Sequence, residues 1–175
     1  ATRFSRPCEV SRTTISNYLA VLEATFVVHV IRPFSLRRAT EIVAAPKVYA
    51  FDSGFVCHYK GWETLRPEDR GILWEHYVLN EIHARLQSRD VRTWRDKQHH
   101  EIDFVLPKSP RQVIALECKW SADQFEPGNL KVFRGLHPLG ANYVIAADVD
   151  KRYSREYRGL RVNFVSLEGL ISALT

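Results

Sequence analysis

The chain has 175 residues, 45% of them hydrophobic and 26% charged, with a formal net charge of +5. That is enough to bury a core in one domain or two small ones. No apolar run approaches the roughly 18 to 20 residues that cross a bilayer, so no membrane span is expected. Three cysteines, Cys8, Cys57 and Cys118, are too few and too scattered for a disulfide framework or a Cys-x-x-Cys zinc site, which points to a reducing cytoplasm.

The sequence starts without methionine and runs almost directly into a helical pattern, so it reads as the C-terminal part of a longer protein. Ser11 is a helix N-cap, and Ile15, Tyr18, Leu19, Leu22 and Phe26 recur at the spacing of an amphipathic helix that buries this face. The other face carries Arg12, Thr13, Ser16 and Asn17, a polar set expected of a helix-turn-helix recognition element. A β-branched run over 26–31, a polar stretch over 32–46 with Arg37, Arg38 and Glu41, and a second strand over 47–51 follow. Helix, strand, loop and strand is the order of a winged helix, serving either as a DNA-reading head or as a structural docking module. Asp52, Ser53, Gly54 and the stretch 61–69 then look like a connector. The expected domains are 1–62, winged-helix-like, and 63–175.

The second domain is predicted to run as a helix from Gly71 to about Leu86, a strand 91–95, a turn 96–100 and a strand 101–106. A tight turn over 107–111 feeds a strand 113–119 to make a β-hairpin, followed by a helix 129–136, a strand 143–147, a basic loop, a strand 161–165 and a helix 167–174. The fold class is α/β, an αβββαβ core with a βα tail.

Period-two alternation from Glu101 sends Ile102, Phe104 and Leu106 to one face and Glu101, Asp103 and Val105 to the other. On the partner strand Ala115, Glu117 and Lys119 share a face. Burial of both apolar faces then projects Asp103 and Glu117 to the same side, where they can converge on one cation. Two carboxylates and a carbonyl suit Mg²⁺ or Mn²⁺, with Lys119 placing or activating a water. Glu75 lies in line with Leu79, Ile82 and Leu86, a carboxylate on an apolar stripe that needs a cation or a lysine beside it. An ordinary cross-strand ion pair is the competing reading of the Glu-x-Lys string.

Basic clusters at 32–38, 85–97, 108–111 and 151–161, including Arg95 and Lys97, permit contact with a phosphate backbone and equally make a solvated face. His76, His83, His99 and His100 lack metal spacing and read as surface or packing residues. Trp62, Trp74, Trp94 and Trp120 read mainly as core aromatics, and Cys118 as packed on the face opposite its neighbours.

A helix Glu, then Asp, then Glu-x-Lys on a hairpin resembles the signature of the PD-(D/E)XK, or restriction-endonuclease-like, fold. More specifically, Pro46-Lys-Val-Tyr-Ala-Phe-Asp-Ser-Gly-Phe55, Gly71-Ile-Leu-Trp-Glu-His76, Glu101-Ile-Asp-Phe-Val105 and Leu116-Glu-Cys-Lys119 resemble the C-terminal domain of unknown function of bacterial and archaeal AAA-type ATPases. The resemblance covers nearly the whole chain. It implies an N-terminal ATPase module, then a winged helix, then a nuclease-like domain. It further implies Asp103 and Glu117 as metal ligands with Glu75 as the accessory helix acid, and Lys119 as catalytic lysine. The usual proline before the first acid is replaced by Ile102. No Gly-x-x-x-x-Gly-Lys-Ser/Thr loop is present, so ATP would enter only through the preceding module. The expected activity is Mg²⁺- or Mn²⁺-dependent phosphodiester hydrolysis, of DNA rather than RNA. The alternative is a catalytically silent module for nucleic-acid binding, homo-oligomerisation or regulation.

Overall fold

A computed structural model describes residues 9–35, 45–87, 90–109 and 111–175. Cys8, Arg37, Arg38, Glu41 and part of the turn over 107–111 lie outside the described residues. Helix α1, Arg12–Ala24, begins where expected, with the Ser11 hydroxyl accepting the Thr14 backbone N–H at 3.0 Å. That contact satisfies one of the donors every helix start leaves open. Its predicted apolar face is largely uncovered by the described residues. Ile15 is buried, whereas Tyr18 and Phe26 are 60% and 69% exposed. The helix packs on strand β1, Val28–Ile31, which pairs antiparallel with β2, Lys47–Ala50. A ribbon of two strands is too narrow to cover a whole helix face.

Of the expected connector, Ser53 and Gly54 instead open helix α2, Ser53–Lys60, while 61–66 joins it to the next helix. Asp52 accepts the Gly54 N–H at 2.6 Å, and Gly61, at φ +64°, closes the other end. The same Asp-Ser-Gly chemistry serves turns and helix caps, so composition alone misreads it. Helix α3, Pro67–Leu86, likewise starts at Pro67 rather than Gly71. Proline fits the first helical position because the N–H it lacks has no partner there anyway, and the Arg66 backbone N–H finds the Asp69 carboxylate at 3.0 Å.

The remaining elements are β3 (Arg92–Arg95), β4 (Glu101–Pro107), β5 (Val113–Lys119), α4 (Gly128–Leu136), β6 (Asn142–Ala146), β7 (Tyr153–Glu156), β8 (Arg161–Val165) and α5 (Leu167–Leu174). Six strands form one sheet in the order β3-β4-β5-β6-β8-β7. β3, β4 and β5 are antiparallel, β5, β6 and β8 parallel, and β7 runs antiparallel on the edge. β7 occupies part of the expected basic loop. As an exposed edge rich in charge it carries little strand signal. On one face Phe104, Leu116 and Ile145 pack with Leu79 and Ile82 of α3 and Leu170 of α5. On the other, Val105, Ala115, Val144 and Phe164 pack with Leu130 and Phe133 of α4. Covered on both sides, the central strands are nearly continuous apolar runs. Ile31 and Tyr49 join the α3-side core, so the small sheet is packed onto the large one's helix layer.

The alternation expected along 101–106 is broken. Arg92 stands opposite Val105 and Trp94 opposite Ile102, so two residues, Asp103 and Phe104, face the single Thr93. This β-bulge moves Ile102 into the cluster of Val105 instead of that of Phe104 and Leu106, and it re-aims Asp103. No helix among the described residues is long and apolar enough to cross a membrane.

Candidate functional site

The β4–β5 ladder ends at the pair Phe104 and Leu116. Beyond it the Asp103 carboxylate accepts the Cys118 backbone N–H at 2.8 Å, taking the place of a ladder carbonyl. Glu117 is buried, and one of its oxygens accepts from the Lys119 ammonium at 3.1 Å. The other, Oε1, is buried with no hydrogen-bond partner among the described residues. Asp103, Glu117 and Lys119 thus gather at one end of the hairpin, where the C-terminal ends of β5 and β6 run side by side.

Burial and then the charge of Asp103 push the Glu117 carboxyl up to about 8. Burial and then the charge of Glu75 push Asp103 up to about 6. Burial pulls the Lys119 ammonium down, but Glu117 and Asp103 more than offset it and hold it raised. Two neighbouring acids of raised pKa, one with an idle lone pair, form a place that an added cation would stabilise.

Glu75 is placed differently from the expected ligand set. Its Oε1 accepts the Tyr49 hydroxyl at 2.5 Å and lies 3.4 Å from the Lys47 ammonium, and Lys47 also pairs with Glu101. Glu75 is close enough to raise Asp103. Even so, no three His, Cys, Asp or Glu side chains among the described residues gather into a set that could hold a metal ion. Asp103 and Glu117 are the two acids here whose carboxyls are both raised by burial and by a neighbouring charge.

Lys47 and Tyr49 were not singled out from the sequence. Period-two spacing on β2 puts them on one face, but only the packing of β2 against α3 shows that this face meets Glu75. Burial, followed by the charge of Glu75, pushes the Tyr49 phenol up, so it stays a donor. Arg95 and Lys97 are exposed at the β3–β4 turn. Arg95 lies 2.7 Å from the His99 ring and 3.8 Å from Glu101, flanking the start of β4. Arg12, Thr13, Ser16 and Asn17 are exposed on α1, with the Ser16 hydroxyl donating to the Arg12 carbonyl at 3.0 Å.

The histidines have local roles. His76 bonds the Ile72 carbonyl of its own helix, His83 stacks on His29, and His100 pairs with Asp96. Cys118 packs in the α3-side core, its thiol pushed up by burial.

Fold and site define a mixed α/β domain with an acid pair and a lysine at the end of one hairpin. The chain belongs to the family described as a domain of unknown function, DUF4143, which matches residues 70–167, more than half of its length. A second domain of unknown function, DUF8612, matches residues 1–66. An uncharacterised protein of Mycobacterium bovis and an uncharacterised protein of Mycobacterium tuberculosis are each 28% identical over 111 residues, covering 61% of this chain and 25% of the relative. The chain thus spans about a quarter of the length of these curated relatives.

Proposed function

We propose that this chain is the nuclease-like region of a longer protein, a winged helix followed by a PD-(D/E)XK core that hydrolyses phosphodiester bonds in nucleic acid, DNA in preference to RNA. The observation that carries the reading is the buried Oε1 of Glu117, without a hydrogen-bond partner among the described residues, near Asp103 and with Lys119 at 3.1 Å from the same carboxylate. Asp103 and Glu117 would hold Mg²⁺ or Mn²⁺, which supplies a bound water of lowered pKa and positive charge at the reacting phosphate.

The chain's own groups do the rest. The Cys118 N–H fixes the Asp103 carboxylate, and Lys119 presents an ammonium to a phosphate oxygen or an attacking water. Tyr49 and Lys47 hold Glu75 at the rim. Arg95 and Lys97 offer charge to the strand. The length of the relatives leaves room for an ATPase module before this region, and that linkage is part of the proposal.

A second reading, a catalytically silent binding, oligomerisation or regulatory module, is favoured by the engagement of Glu75 with Lys47 and Tyr49. A cleavage panel of single-stranded, double-stranded and branched DNA and of RNA in Mg²⁺ or Mn²⁺ separates the two. Cleavage that is abolished by Asp103→Ala and by Lys119→Ala supports the nuclease. Cleavage that survives both changes removes the assigned site.

A further inference from the structure

Immediately after Lys119, the indole of Trp120 stands at the surface, 38% exposed. Its surroundings hold it as a shelf rather than as core. Trp74 meets it edge-on, with ring centroids 6.2 Å apart and planes at 89°. Trp74 is itself anchored by its indole N–H donating to the Ile145 carbonyl at 2.9 Å, which ties the pair to β6 beside the site. Tyr77, one turn along α3 and exposed, lies 5.9 Å from Trp74. Over the Trp120 ring, at 5.5 Å, sits the guanidinium of Arg70. Arg70 is exposed, so its guanidinium can exchange the ring for a phosphate.

We propose that Trp120 and Arg70 form a subsite for one unpaired nucleotide next to the scissile phosphate, the base stacking on the indole and its phosphate meeting the guanidinium. This rests on the nuclease reading of the same acid pair and names the substrate class, which is a nucleic acid with a single-stranded segment, flap or end at the cut. The physical argument is that bases in a duplex already stack on one another, so a protein aromatic beside a cutting site has a use only where a base is unstacked. The ring follows the C-terminal end of β5 and packs on Trp74, which is tied to the C-terminal end of β6, the end of the sheet where the acid pair gathers. An arginine that can lie over a base or reach a phosphate completes the contact.

The test measures binding apart from cleavage. A fluorescently labelled single-stranded deoxyoligonucleotide and a blunt duplex of the same sequence are titrated in EDTA, at fixed salt, against the wild type, Trp120→Ala, Trp120→Phe and Arg70→Ala. Melting curves establish that each variant is folded. The wild type binds the single strand more tightly than the duplex. Trp120→Ala weakens single-strand binding by about 5- to 150-fold, the range for one base–aromatic contact, and leaves duplex binding unchanged. Trp120→Phe recovers most of the loss, and Arg70→Ala weakens the single strand with a shallower salt dependence. Unchanged single-strand binding by Trp120→Ala overturns the subsite, as does a wild type that binds no single strand or an equal loss on both probes. Binding that depends on Trp120 but brings no cleavage in any divalent metal leaves the subsite standing and overturns the nuclease reading instead.

Discussion

The Asp103 carboxylate accepts the backbone N–H of Cys118 at 2.8 Å, so one side chain both closes the hairpin's open end and lies near enough to Glu117 to raise its carboxyl. These two jobs separate by substitution. In Asp103→Asn the amide oxygen still accepts the Cys118 N–H while the charge is lost; in Asp103→Ala that buried donor loses its partner, at about 1–3 kcal/mol. Asp103→Ala is therefore expected to be less stable than Asp103→Asn in urea denaturation, while both lose the heat of Mn²⁺ binding in calorimetry. Equal stability of the two variants would show that the bond carries no weight in the fold.

The Glu117 carboxyl, pushed up to about 8 by burial and by Asp103, makes stability depend on pH. A carboxyl whose folded value is raised binds more protons in the native state than in the unfolded one, so stability falls as pH rises from its ordinary value, near 4.5, through about 8. Glu117→Gln removes that penalty. Without divalent metal, the melting temperature of the Gln variant should exceed that of the wild type at pH 8 to 9 and converge with it near pH 5. Adding Mn²⁺ should restore the wild type selectively at high pH. A constant difference across the range counts against the buried charge.

Arg134 is a cation in the core. Its Nε donates to the Asn142 side chain at 2.6 Å, and its other nitrogens donate to the carbonyls of His137, Leu139, Val113 and Ala141 at 2.8–3.1 Å. Burial lowers its pKa to about 10. The guanidinium thus ties α4 and the turn after it to the N-terminal ends of β5 and β6. Arg134→Met removes a donor from each of these acceptors, of which the Leu139 and Ala141 carbonyls keep the Val113 and Ala115 N–H, and should cost about 3 kcal/mol or more, since each buried group left unsatisfied costs about 1–3 kcal/mol. Arg134→Lys should recover only part, because an ammonium cannot reproduce the fork. The urea midpoints of the two variants give the comparison.

Arg134 also shows where sequence reading stops. β5, β8 and α5 lie where their apolar patterns place them, because a strand covered on both faces and an amphipathic helix each write their period into the chain. The hairpin carrying Asp103, Glu117 and Lys119 was legible for the same reason. The bulge at Asp103 was not, since an extra residue in one strand is set by its pairing with Thr93 and changes no local pattern. Nor was α2, whose Asp52 cap is spelled like a turn, or the weakly patterned edge strand β7. An arginine on a helix reads as solvated, and only the carbonyls around Arg134 reveal it as buried.

Lys47, with Tyr49, brings β2 of the N-terminal region to Glu75. Its ammonium bridges Glu75 and Glu101, and the charges of these acids hold it raised against the opposing pull of burial. In Lys47→Met the two acids lose the cation they share. The pair is half-buried, so the loss should fall between that of exposed and buried ion pairs, about 1–3 kcal/mol. Because Glu75 also keeps its bond from Tyr49, a double-mutant cycle is the clean measurement. Adding Glu75→Gln to Lys47→Met should recover part of the stability by removing the stranded charge, giving a coupling of about 1 kcal/mol or more. Additive effects would mean that Lys47 acts on Glu101 alone and that, on β2, Glu75 is held through Tyr49.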